Sequence, residues 1–205
     1  MRGPVRGTLY FLYLILDVWS RKIVGARVFT QESADHAPEL FTDSCQALGV
    51  DPAGLVLHAD NSGPMKGSVM LATLQRLGVV ASFSRPRVSD DNPYSEALFR
   101  TLKYRPAYPS GPFASRKAAQ TWVAGFVHWY NTEHRLSTLR FVTPDERHTG
   151  RDKAILAKRQ ALCETAYNER PERWTGSRRN GRPIAAVVLN PEKHHIDNKQ
   201  HKSAA

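Results

Sequence analysis

Apolar residues fall in short blocks along this chain, and the spacing inside each block changes from one to the next. Leu9 to Leu16 is an unbroken aliphatic and aromatic run, Trp19-Ser20-Arg21-Lys22 interrupts the pattern, and Ile23-Val24-Gly25-Ala26-Arg27-Val28-Phe29 resumes it. Two such runs around a short polar turn predict a β-hairpin. The next block has helical spacing. Ala37, Leu40, Phe41, Ser44 with Cys45, and Leu48 share one face, with Ser33 or Asp35 as the cap and Gly49 as the stop. Leu55 to His58 predicts a strand that delivers Asp60. Gly67 to Leu77 predicts a helix packed through Val69, Met70, Thr73, Leu74 and Leu77, and Val79 to Phe83 a short strand.

After a loop from Arg85 to Asp91, Asn92 can cap a helix with Pro93 in its first turn and Leu98, Phe99 and Leu102 as its buried stripe. Pro106, Pro109 and Pro112 make a rigid loop. A longer helix follows from about Ser115 to His134, with Trp122, Phe126, Trp129 and Tyr130 on its aromatic side. Thr143-Pro144 opens another helical segment, and Ala154 to Glu169 is expected to be helical as well. Beyond Pro171 the composition shifts to Arg, Gly, Asn and His, with one expected strand at Ala185 to Leu189 and then a disordered tail. The alternation of strands and helices predicts an α/β fold in which helices cover a mixed sheet.

Composition narrows the function. With 205 residues, 41% of them hydrophobic, the chain can bury a core and should form one main domain with an appendage. A formal net charge of +10, from 29 Lys and Arg against 19 Asp and Glu, attracts polyanions through counterion release. Nucleic acid is the natural partner, although a solvated basic surface fits the charge alone equally well. Cys45 and Cys163 lie far apart in unrelated contexts, which suits a reducing compartment and argues against a disulfide framework or a zinc site. The expected location is therefore the cytoplasm. The run from Leu9 to Leu16 falls short of the ~20 residues that span a bilayer, so no membrane role is expected.

Candidate chemistry centres on two carboxylates. Asp60 closes the segment Gly54-Leu55-Val56-Leu57-His58-Ala59-Asp60-Asn61, and Glu96 sits on a later helix with Lys103 two turns further on. Phosphodiester transfer uses hard cations held by carboxylates from separate elements, and this pair has that form. Each acid also has a structural explanation. Asp-Asn-Ser-Gly is a strong turn signal, and Glu96 places favourable charge in a helix's first turn. His194, His195 and His201 in the tail are too unstructured a cluster to be preferred as a metal site. Arg178, Arg179 and Arg182 form a basic loop that suits either DNA contact or plain solvation.

Context separates these readings. The segments His58-Ala59-Asp60-Asn61-Ser62-Gly63-Pro64-Met65-Lys66-Gly67 and Asp91-Asn92-Pro93-Tyr94-Ser95-Glu96-Ala97-Leu98-Phe99-Arg100-Thr101-Leu102-Lys103 resemble the integrase-core transposases of bacterial insertion sequences, relatives of retroviral integrases. Leu16-Asp17-Val18-Trp19-Ser20-Arg21-Lys22-Ile23-Val24-Gly25 is similar to that family's hairpin signature, and Trp129-Tyr130-Asn131 with His134-Arg135 to its later helical motif. The resemblance covers roughly residues 5 to 150. It implies an RNase H-like core over residues 1–150, a helical and basic extension over 151–190 and a disordered tail over 191–205. It also implies a D-D-E triad binding two Mg²⁺ or Mn²⁺ ions, with Asp60 as the second acid, Glu96 as the third and Lys103 as a DNA contact. Arg85, Arg87, Arg100 and Arg105 flank the site as phosphate ligands, Arg85 and Arg87 being favoured. The implied partners are the DNA ends of an element and its target, engaged by a homo-oligomer at the bacterial nucleoid.

The resemblance also implies a gap. In that family three antiparallel strands precede the first helix and the first acid lies on the first of them, whereas only two strands are expected here before Ser33. Met1-Arg2-Gly3-Pro4-Val5-Arg6-Gly7 resembles the turn that follows that strand, so the first acid and a central strand are expected to be missing. Asp17 matches the hairpin motif instead, where an Asp bonds local backbone groups or pairs with Arg21. Little strand transfer, and poor solubility or partial unfolding, are expected of the chain on its own. Smaller departures are Ser62-Gly63 where the family has Gly-Ser, and Leu136 where a histidine is common. Two functions remain open: a transposase catalytic domain, or an inactive remnant that keeps only DNA affinity. An RNase H-like nuclease of another kind fits the fold but not the motifs.

Overall fold

The structure is a computed structural model that describes residues 1–60, 63–85, 92–176, 180–187 and 189. The expected tail and Arg178 and Arg179 lie outside these residues. The first apolar runs form the hairpin β1 (Phe11–Leu16) and β2 (Ile23–Phe29), antiparallel with Phe11 opposite Phe29. Upstream, Met1–Gly3 folds back on Thr8–Tyr10 through a turn at Gly7, whose φ of +92° suits a residue without a Cβ. Helix α1 (His36–Leu48) follows and ends at Gly49 in the left-handed conformation. Then come β3 (Val56–Ala59), α2 (Gly63–Lys66), α3 (Ser68–Arg76) and β4 (Val80–Phe83), with β3 and β4 parallel. Helices α4 (Pro93–Tyr104), α5 (Arg116–Thr132), α6 (Pro144–His148) and α7 (Asp152–Glu169) complete the order.

The hairpin is apolar at nearly every position because both its faces are covered. Tyr13 and Ile15 pack toward Phe41, Cys45, Met70 and Leu74 of α1 and α3. Leu12, Leu14 and Leu16 point the other way, toward Leu98, Leu102, Phe126 and Tyr130 of α4 and α5. At Gly25 the approach of α1 is close enough that a Cβ would collide with Ser44 Oγ. Helix α5 also covers the outer edge of β2. Asn131 accepts from Ile23 N and donates to Ile23 O, both at 2.9 Å, and Gln120 Oε1 accepts from Val28 N at 2.8 Å. Side-chain amides thus satisfy backbone groups that a bare sheet edge would leave open.

Several expectations need correction. The strand directions are mixed as expected, but among the described residues they are divided between two separate two-stranded sheets. A cleft of about 120 Å³ lies between the sheets, lined by Tyr13 and Ile15 of β1, Val56 and His58 of β3, and Phe41 and Met70 of the covering helices. Asn92 makes no side-chain cap to α4, its backbone turning at φ −131° and ψ 47°, and Pro93 alone marks the start. Ser33 and Asp35 bond each other rather than the first amides of α1. Ser115 does cap α5, and Thr143 with Glu146 closes a capping box on α6. No strand forms over residues 185–187, and Val188 lies outside the described residues. Cys45 and Cys163 are both free thiols.

Candidate active site

The parallel register sets the position of Asp60. Ala59 lies opposite Phe83, so Asp60 and the pair Ser84-Arg85 leave the β3–β4 sheet at the same edge. The carboxyl ends of parallel strands are where α/β folds gather ligand sites. Ser84 N donates to Ala59 O at 3.1 Å, tying the exit of β4 to the residue before Asp60. One position earlier, His58 Nδ1 and Ser82 Oγ lie 3.0 Å apart across the strands. Asp60 and Arg85 are both exposed.

Glu96 occupies the first turn of α4, where its carboxylate complements the helix dipole. Asn92, Tyr94 and Ser95 line the same cleft as His58, which brings the start of α4 beside the end of β3. Arg100 and Lys103 follow at helical spacing and so share the side of α4 that carries Glu96. All three are exposed. Lys103 also lies near Met1, whose ammonium pKa is lowered first by burial and then by the lysine's charge. Arg87, Asn61 and Ser62 lie outside the described residues, and Gly63 opens α2.

Among the described residues no group of three or more His, Cys, Asp and Glu stands together as a metal cage. Asp60 and Glu96 each carry a carboxylate, the hard oxygen donor of which Mg²⁺ takes one or two while keeping several waters.

Asp17 is engaged elsewhere. Its carboxylate accepts from Trp19 N and Ser20 N at 3.2 Å, from Ser20 Oγ, and lies 3.2 Å from His148 Nδ1. Burial pushes its pKa up, but hydrogen bonds from Ser20, His148 and the backbone outweigh this and hold it below the usual value. Of the two roles expected of it, bonding local backbone groups is the one realised, and Arg21 turns elsewhere. The Arg21 guanidinium donates to Val18 O and stands 3.4 Å from the centre of the Tyr94 ring, two residues before Glu96. Burial is also the main reason that Tyr130, close to Arg21, has its pKa pushed up to about 12.

Around this tip the structure builds a hub that the sequence reading missed. Lys22 Nζ reaches Asp145 at 2.7 Å, and Arg147 Nε donates to Trp19 O at 2.8 Å while its guanidinium lies over the Trp19 ring. Arg147 also donates to Ile184 O at 2.7 Å and faces Asp152 at 3.5 Å, both side chains almost fully buried. The signal was the run Pro144-Asp145-Glu146-Arg147-His148, four titratable side chains behind one proline, directly after a capping threonine.

With this geometry established, comparison with known proteins is informative. Residues 77–144 match the family model described as Integrase core domain. A transposase for insertion sequence element IS904 from Lactococcus lactis subsp. lactis (strain IL1403) is 30% identical over 141 residues, 68% of this chain and 54% of the transposase. This chain carries an integrase core. The chain spans about half the length of that curated relative. Two solved structures share the fold of the integrase core. The catalytic core domain of BIV integrase aligns with TM-score 0.53 and 20% identity over 70% of this chain and 88% of that one. The simian T-cell lymphotropic virus intasome in complex with PP2A regulatory subunit B56 gamma aligns with TM-score 0.56 and 17% identity over 71% of this chain and 50% of that one. The RNase H-like α/β class is thereby established for this integrase core. No helix among the described residues is long and apolar enough to cross a membrane.

Proposed function

We propose that the chain is the catalytic region of a transposase that cuts and joins DNA, with Asp60 and Glu96 as its metal-holding carboxylates. The observation that carries this reading is that His58 of β3 and Asn92, Tyr94 and Ser95 at the start of α4 line one cleft, so the two elements that bear Asp60 and Glu96 meet there on an integrase-core fold. Mg²⁺ or Mn²⁺, when bound, supplies charge neutralisation at the phosphodiester and activation of the attacking oxygen. The chain's own residues do the rest. Asp60 and Glu96 donate oxygens. Arg85, Arg100 and Lys103, with Arg87, hold backbone phosphates and set the strand's register. The net charge of +10 draws DNA to the chain. Assembly as a homo-oligomer on DNA, at the nucleoid in the cytoplasm, belongs to the same proposal.

A second reading is favoured by one observation. Two carboxylates offer few donors for a pair of metal ions, which fits a chain that binds DNA without performing the chemistry alone. One experiment separates the two. The purified chain is titrated with labelled duplex DNA over a range of salt, then incubated with supercoiled plasmid and Mn²⁺. The first reading expects salt-sensitive binding and Mn²⁺-dependent nicking that Asp60→Asn or Glu96→Gln abolishes. Binding without nicking selects the second, and no binding at low salt rejects both.

A further inference from the structure

One aromatic side chain has nothing to pack against. Tyr104, the last residue of α4, is 80% exposed, more than any other large apolar side chain among the described residues. The aromatics around it are interlocked. Tyr108, Phe113 and Trp122 meet edge to face, and Trp122, Phe126 and Tyr130 run along α5. Trp129 is engaged as well, with the Arg105 guanidinium 3.7 Å from its centre and the His134 ring stacked at 4.7 Å. Tyr104 instead forms one wall of an open cleft of about 610 Å³, lined by Arg100, Thr101, Arg105, Pro106, Ala107 and Trp129.

We propose that this cleft binds an unpaired nucleobase of DNA, with Tyr104 as the stacking surface and Arg100 and Arg105 as its phosphate contacts. The inference rests on the DNA-binding reading above and adds a ligand to it. Three features select this occupant. The lining carries two cations and no acid, so the charge complements a polyanion. An exposed ring at a helix end offers a π-face that any base can stack on, the recurrent device of single-strand binding. The Arg105 guanidinium is held over the Trp129 ring, so it is placed in advance and keeps N–H groups for a phosphate.

Position adds a dimension. Glu96, Arg100 and Tyr104 lie at successive four-residue steps on α4. Eight residues of helix rise about 12 Å, which is roughly three to four base-pair steps at 3.4 Å each. DNA with its scissile phosphate near Glu96 would present to Tyr104 a base three or four nucleotides away. A paired base has no free face to offer there, so the cleft favours DNA whose strands have parted at that distance.

The test measures affinity of the full chain, by fluorescence anisotropy, for a blunt duplex and for the same duplex carrying a four-nucleotide single-stranded tail with 2-aminopurine. The expected result is about ten-fold tighter binding of the tailed DNA, with a change in 2-aminopurine emission on binding. Tyr104→Ala should erase the preference while leaving blunt-duplex affinity within about two-fold, and Tyr104→Phe should retain it. Because Tyr104 is solvent-exposed, neither variant threatens folding, which circular dichroism checks. Equal binding of tailed DNA by wild type and Tyr104→Ala overturns the stacking site. If blunt duplex still binds, the DNA-binding reading survives that failure, whereas no binding of either DNA overturns both.

Discussion

The hairpin tip and the carboxylate edge are both polar clusters at turns of one small fold, and they are built in opposite ways. At the tip, Ser20, Arg21, Arg147 and Asp152 are buried, and Asp17, Lys22, His148 and Asp145 join them in a network that spans more than a hundred residues of sequence. At the edge, Asp60, Glu96, Arg100 and Lys103 are exposed, held by the elements that carry them. Buried polar groups must find partners inside the protein, so the tip is committed to joining β1, β2, α4 and α6. Exposed charges keep their water and can exchange it for a phosphate or a metal ion. The tip is defined by bonds among buried groups, and the candidate chemistry lies among exposed charges.

The most severe way to break the tip is at its buried ion pair. Arg147→Met would leave Asp152 buried without its cation and remove the bonds to Trp19 O and Ile184 O. Deleting one partner of a buried pair costs about 3–5 kcal/mol, a large share of the stability of a domain this size. Urea unfolding of the variant should show this loss, and pairing it with Asp152→Leu should recover part of it. A loss below about 1 kcal/mol would mean that the hub does not hold the fold together.

The next test moves to the bracket between α5 and β2. Asn131→Leu keeps the approximate volume but strands Ile23 N and O, both bonded through Asn131 at 2.9 Å. Stranding buried backbone groups costs about 1–3 kcal/mol each, so a total of about 2–6 kcal/mol is expected in the same measurement. Asn131 belongs to the Trp-Tyr-Asn motif, and this result would assign that motif's last residue to architecture.

A smaller effect distinguishes the two kinds of carboxylate by pH. The pKa of Asp17 is lowered in the fold, so its contribution to stability is present above the ordinary value of 3.8 and is lost as pH falls through the folded value. Asp17→Asn should cost about 1–2 kcal/mol near neutral pH. It should also flatten the fall in melting temperature below about pH 4. If the acid limb of the melting curve is the same in both proteins, Asp17 is not the anchor of the hairpin tip.

The elements themselves were legible because their signals are local. The hairpin, the helices with Gly49, Pro93 and Thr143 at their ends, and the strand that delivers Asp60 all follow from spacing and capping within a few residues. The integrase core was legible for a related reason, since its motifs are contiguous. What escaped were partnerships across long separations. Nothing near Ser20 announces His148, nothing near Ile23 announces Asn131, and Tyr104 is an unremarkable helix residue until its surroundings are found empty. The division of the strands into two sheets was hidden for the same reason, because each apolar run shows a strand but not its neighbour.

The smallest expected effect on stability is at the acids that should matter most for chemistry. Asp60→Asn and Glu96→Gln remove charge from exposed positions, where substitutions usually stay within about 0.5 kcal/mol. Removing Glu96's charge also weakens its interaction with the start of α4 by a few tenths of a kcal/mol, roughly 0.3–1. Both variants should therefore melt within about 3 °C of wild type without metal. With millimolar Mn²⁺ the comparison sharpens. Any rise in wild-type melting temperature reports ion binding by the folded state and should vanish in either variant, whereas Asp17→Asn should keep it. An Mn²⁺ response that survives the double variant Asp60→Asn/Glu96→Gln would place the ion elsewhere and remove the carboxylate edge as the candidate active site.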